Sequence, residues 1–211
     1  MKNGKFLILS VLILTLFSAC QKKEEAIQNA QKQENSVKYS KIEEVDFKNF
    51  SFFYGENDSK KVTLTNGAKT FGGVDDIAFD FDKVLYADLT KDKEDEAIVN
   101  LRHGNGAIAT NLVSVYTLQN NQPKKIWSFY VGSESNGRLK DVYLIENDLV
   151  VELFGKNELD TVKNEFGFAK DFSPAEAFCC PKNFTQFVLQ WNGEKFIPKE
   201  KPQVFDYKAQ N

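Results

Sequence analysis

An all-β fold, an antiparallel meander or sandwich-like sheet domain behind a signal peptide and a disordered tether, is predicted by three observations. The chain carries 19 Phe, 7 Tyr and 2 Trp in 211 residues, and aromatic side chains fit the half-buried pleated surface of a sheet. Ile77, Phe79 and Phe81 alternate with Ala78, Asp80 and Asp82, the two-residue period of a strand with one buried face. Short β-rich segments follow one another across turn residues, with no helical period between them, as in a sheet built from local connections.

Residues 1–19 read as a secretory signal: Lys2 and Lys5, an apolar run from Phe6 to Phe17, then small residues at the cut. The run is shorter than the 18 or so apolar residues that span a bilayer, so a permanent membrane-spanning helix is the weaker reading. Cys20 directly follows Phe17-Ser18-Ala19, where its thiolate can be alkylated by a diacylglycerol, so lipid attachment is expected there. Phe17 stands where the lipoprotein pattern prefers Leu. Acyl chains such as palmitate each add about 0.8 kcal/mol per buried methylene, so a two- or three-chain anchor holds the protein at a membrane.

Residues 20–44 read as an acylated flexible tether, polar and charged with few large apolar residues, a composition that cannot offset the entropy of ordering. Its start, Gln21-Lys22-Lys23-Glu24-Glu25, resembles the surface-export signal of lipoproteins in Bacteroidota. The expected location is therefore the outer membrane, exposed at the cell surface; the alternatives are its periplasmic face and a plain solvated tether.

Residues 45–198 form the expected single β-rich domain. Phe50–Tyr54 and Lys61–Thr65 lead to an Asn66-Gly67 turn. Ile77–Phe81, Val84–Leu89 and Ala97–Leu101 follow, the last two flanking a charged loop. Leu112–Leu118, Ile126–Val131, Val142–Ile145 and Leu149–Phe154 are separated by Asn120 to Pro123, by Gly132 to Gly137 and by Glu146 to Asp148. Phe184–Trp191 turns at Asn192-Gly193 into Lys195–Ile197, an expected two-residue hairpin of type I′. Residues 199–211 are expected to be a fraying polar tail.

Removing residues 1–19 takes two lysines and leaves 25 basic against 30 acidic side chains, a formal net charge of −5. That balance disfavours a nucleic-acid partner, which needs a basic stripe, and supplies no polybasic patch for anionic lipid. Membrane contact is expected through the N-terminal lipid alone.

The loop from Asp88 to Glu96 places oxygens of Asp88, Thr90, Asp92 and Glu96 at positions one, three, five and nine, a layout that can wrap calcium. Lys91 and Lys93 stand at positions four and six, where such loops carry glycine. A metal-free acidic hairpin loop is the competing reading.

The run Tyr86 to Leu101, then Ser114-Val115-Tyr116, then Phe178-Cys179-Cys180-Pro181 before Gln190-Trp191-Asn192-Gly193, resembles the LppP/LprE-type bacterial lipoproteins and their uncharacterised relatives. The resemblance spans residues 84–196 and implies an envelope lipoprotein without an established activity. Relatives often carry a further Cys after the first strand pair; here Arg102-His103-Gly104-Asn105-Gly106 stands there. A long-range disulfide is thereby missing, which leaves Cys179 and Cys180 bonded to each other or free.

His103 is the only histidine. It could serve a nucleophilic site with Cys179 or Cys180 or join them at a metal, although a turn residue is the plainer reading. Asp160-Thr161-Val162 resembles a Bacteroidota O-glycosylation acceptor at Thr161. No catalytic residue and no cofactor beyond calcium is assigned. The expected function is a non-enzymatic module binding a glycan, peptide or protein; the alternatives are a small thiol-dependent hydrolase and a structural envelope protein.

Overall fold

The computed structural model describes residues 37–71, 77–105, 108–132 and 136–207. Residues 1–19, read as a signal peptide, Cys20, the stretch Gln21 to Glu25 read as an export signal, Gly106 and residues 208–211 lie outside them. Antiparallel strands dominate: β1 (Ser51–Tyr54), β2 (Lys60–Thr63), β3 (Ala68–Phe71), β4 (Ile77–Ala87), β5 (Glu96–Asn105), β6 (Ile108–Gln119), β7 (Gln122–Val131), β8 (Leu139–Ile145), β9 (Asp148–Phe154), β10 (Asn157–Asp160), β11 (Glu165–Phe168), β12 (Asn183–Trp191), β13 (Phe196–Pro198) and β14 (Gln203–Asp206). Among the described residues one short α-helix, α1 (Pro174–Phe178), precedes β12, and three single 3-10 turns, Ile42–Glu44, Phe47–Asn49 and Glu56–Asp58, lie before β3. Among the described residues no helix is long and apolar enough to cross a membrane.

The first sheet is a meander, β3-β4-β5-β6-β7. The second runs β13-β12-β9-β8, with β14 also paired to β12. Ile98, Val113, Val115, Trp127 and Phe129 of the first sheet pack against Val142, Leu149, Val151, Leu153, Phe187 and Phe196 of the second, which makes the pair a sandwich closed by one apolar core. Asn164, from the turn between β10 and β11, accepts a 2.7 Å hydrogen bond from the Trp127 indole and donates one of 3.1 Å to the Ser128 carbonyl.

The opposite face of the first sheet is covered too. Ile42, Val45, Phe47, Phe52, Val62 and Leu64 pack onto Phe79, Ala97, Val99, Leu101, Leu112 and Tyr116. Strands buried on both faces lose the apolar-polar alternation, hence the unbroken runs Ala97-Ile98-Val99 and Leu112-Val113. The N-terminal layer reaches back past the expected boundary at residue 45: Tyr39 donates its backbone N–H to the Asn121 carbonyl at 3.1 Å, and Ile42 is buried. Packing thus orders residues from Tyr39 that composition alone assigned to the tether.

Three further expectations are corrected. Ile77–Phe81 and Val84–Ala87 are one strand, β4, whose register shifts between Phe81 and Lys83, and Asp88 and Leu89 lie beyond its end. The bulge resets the alternation, so Phe79, Phe81, Val84 and Tyr86 share the face toward the N-terminal layer. The Asn192-Gly193 hairpin is a four-residue loop: Trp191 pairs with Phe196, and the Asn192 side chain accepts hydrogen bonds from the Glu194 and Lys195 amides. The tail does not fray at residue 199, because β14 pairs Gln203 to Asp206 with Gln186 to Asn183 and Phe205 stacks on Phe184. The Asn66-Gly67 and Asn120-Asn121 turns do take the left-handed backbone of two-residue hairpins, with φ of 53° and 86° and of 55° and 62°.

Candidate functional site

Leu149, Val151 and Leu153 of β9 point into the sandwich, so strand periodicity turns Val150, Glu152 and Phe154 to the outer face of the second sheet. Register sets Gln186 of β12 and Asp141 of β8 beside Glu152, and Phe184 beside both Phe154 and Phe205. Glu152 is buried, 4% exposed, on the same face as the fully buried Val150. It pairs with the Lys140 ammonium and accepts 3.0 Å and 2.9 Å hydrogen bonds from the Tyr143 hydroxyl and the Gln186 amide. Gln186 also donates to the Tyr143 oxygen at 2.9 Å. Burial, followed by the bond to Glu152, pushes the Tyr143 phenol up.

Aromatic faces border this network. The Lys140 ammonium lies 4.2 Å from the Phe184 ring centroid, and that ring stacks on Phe205 at 5.3 Å. Arg138 sits 5.9 Å from the Phe154 centroid, with Tyr207 edge-on to that ring at 5.0 Å. A cleft of about 140 Å³ adjoins the network, lined among others by Asp82, Asn100, Arg102, Asn111, Lys140 and Asp141. Inside it Asn100, 1% exposed, donates to Asp82 at 2.7 Å and accepts from Asn111 at 3.1 Å, while Lys83 pairs with Asp141 at 2.6 Å. The bulge in β4 places Asp82 there. The polar groups lining the cleft can hydrogen-bond a ligand, and Phe205, 38% exposed, is the accessible ring bordering the network.

The acidic loop is organised by its own backbone. Asp88 accepts the amides of Asp92 and Lys93 at 3.0 and 3.2 Å, and Asp92 accepts that of Glu94 at 2.9 Å. Glu96, fully buried, accepts the Leu89 and Thr90 amides at 2.9 Å each and the Thr90 hydroxyl at 3.3 Å. Burial raises the Glu96 pKa against the opposing pull of those donors. Lys91 and Lys93 take φ of 65° and 78°, so the loop keeps the left-handed turns that glycine usually serves. Among the described residues no group of three His, Cys, Asp or Glu side chains is placed to hold a metal. A cavity of about 320 Å³ lies between this loop and residues 40–43, lined by the mixed charges of Lys41, Glu43, Lys93, Glu94 and Asp95.

His103 stacks on Phe79 at 4.0 Å with Tyr54 at 6.0 Å, so its ring faces the N-terminal layer. Cys179 and Cys180 follow α1 at the entry to β12 in the second sheet, both exposed and free. The structure therefore brings the two cysteines together and places His103 on another layer. Thr161 begins the turn after β10; its carbonyl accepts from Lys195, and Val162 beside it is exposed. The network at Glu152 escaped sequence reading. Its signal is a single carboxylate at an outward position of an otherwise apolar strand, Val150-Val151-Glu152-Leu153.

Comparison with protein-family models, with curated protein sequences and with solved structures yields no match to this chain.

Proposed function

We propose that this protein is an envelope lipoprotein of the LppP/LprE-like kind, anchored in the outer membrane through lipid on Cys20, whose β domain is a non-catalytic binding module. The observation that carries the reading is the outer face of the second sheet: a buried carboxylate network at Glu152 beside Phe184 and Phe154, bordered by the exposed ring of Phe205. Hydroxyl-rich rings need both hydrogen-bonding groups and flat apolar faces, so a glycan is the ligand class this chemistry supports best.

The test is binding of the full-length protein to an immobilised glycan panel, with peptides as the contrasting set. Phe184→Ala and Glu152→Gln are each expected to weaken glycan capture at least tenfold, while Cys179→Ser with His103→Ala leaves it unchanged. Capture that survives Phe184→Ala and Glu152→Gln together would sink the assignment of this face. Anchoring is tested separately: a clickable palmitate analogue labels the parent and spares Cys20→Ser. Protease shaving of intact cells, with Lys22 to Glu25 replaced by Ala in parallel, distinguishes the cell surface from the periplasmic face.

A further inference from the structure

Cys179 and Cys180 are neighbours in sequence and in space. The backbone at Cys179 is helical, with φ −79° and ψ −58°, so the two side chains do not diverge to opposite sides as they would on a strand. Their sulfurs lie 3.2 Å apart and both residues are exposed. A disulfide between them would need the sulfurs at about 2.05 Å on α-carbons only about 3.8 Å apart, below the roughly 4.4 Å at which ordinary disulfides begin. Such a bond encloses no intervening residue and constrains the unfolded chain hardly at all, so it has little value as a staple. A bond that forms from pre-positioned sulfurs, reopens under strain and faces solvent is suited to exchange.

We propose that Cys179 and Cys180 form a reversible thiol–disulfide exchange site that takes a low-molecular-weight disulfide as oxidant and a low-molecular-weight thiol as reductant. In the forward direction the Cys179 thiolate attacks one sulfur of the reagent R–S–S–R, forming a mixed disulfide and releasing RS⁻. Cys180 then loses its proton and attacks the Cys179 sulfur, closing the Cys179–Cys180 bond and releasing the second RS⁻. Two S–H bonds of the protein are replaced by one S–S bond, and the reagent's S–S bond becomes two S–H bonds once both thiolates take up protons.

The site is tested on the full-length chain carrying Cys20→Ser, which leaves Cys179 and Cys180 as its only thiols. The protein is equilibrated with graded ratios of oxidised to reduced glutathione, trapped with an alkylating reagent and weighed intact. The expected result is joint loss of both alkyl labels with the loss of two hydrogens, fully reversed by reduced glutathione. Cys179→Ser and Cys180→Ser should each instead retain one glutathionyl group. The proposal is overturned if both thiols stay alkylatable at every ratio, if the parent accumulates glutathionyl groups without closing, or if the bond joins two chains. Native tryptophan fluorescence of each variant certifies its fold. The glycan assay does not depend on this chemistry, so the two readings fail separately.

Discussion

Glu152 and His103 show how burial sets the behaviour of single ionisable residues in this domain. Removing the Glu152 carboxylate leaves Lys140 and the Tyr143 hydroxyl without their shared acceptor; Glu152→Ala should cost about 2 kcal/mol, read as a lower urea midpoint at unchanged slope. For His103, burial and then the nearby Lys60 ammonium push the imidazole pKa below its ordinary 6.5. The folded pKa lies below the unfolded one, so the stabilising contribution is present above about pH 6.5 and is lost as pH falls through the folded value. His103→Phe keeps the stack on Phe79 and should remove this loss, measured as a smaller drop in unfolding free energy between pH 7 and pH 5. Glu96 has the opposite sign. Its raised pKa means that its contribution favours the fold most below the ordinary carboxylate value of 4.5 and declines as pH rises through the folded value.

Among the elements, the acidic loop holds the clearest local conflict. Lys93 occupies a left-handed backbone at φ 78°, which costs an L-residue roughly 1–2 kcal/mol, part of which glycine returns in unfolded-state entropy. Lys93→Gly should therefore stabilise the protein by about 0.5–1 kcal/mol, seen as a higher thermal midpoint. The same loop shows what was legible in advance. Spacing identified its acceptors, but not that Asp88, Asp92 and Glu96 would be engaged by its own amides. Within the two large sheets, β4 to β9, β12 and β13 were readable because alternation and turn chemistry are local. The bulge at Phe81 was visible only as an interruption, since skipping one residue mimics a strand end. β3, with all four residues exposed, β10 with β11, and β14 carry too little apolar pattern to be recognised; pairing with β4, with each other and with β12 makes them strands. The Glu152 network was hidden for the same reason, because Lys140, Glu152 and Gln186 meet only through the register of β8, β9 and β12.

Across the whole domain, the first sheet is shared by two cores. Phe52 is fully buried in the N-terminal layer, whereas Trp127 and Trp191 belong to the core between the sheets. Phe52→Ala should cost about 3–5 kcal/mol, and because one sheet serves both cores the loss should shift the tryptophan fluorescence transition as a single step. An unmoved transition would mean that the N-terminal layer unfolds independently. The turn between β10 and β11 has a bearing on how copies of the protein meet. β7 is an outer strand of its sheet, and strands in that position recruit partners through free carbonyls and amides. By bonding the Ser128 carbonyl, Asn164 occupies one of the acceptors an incoming chain would need, and Lys124 sets a charge along the same border. Crowded molecules thus meet a border partly closed to templated polymerisation, and resistance to aggregation is built into the same amide that orients a core tryptophan.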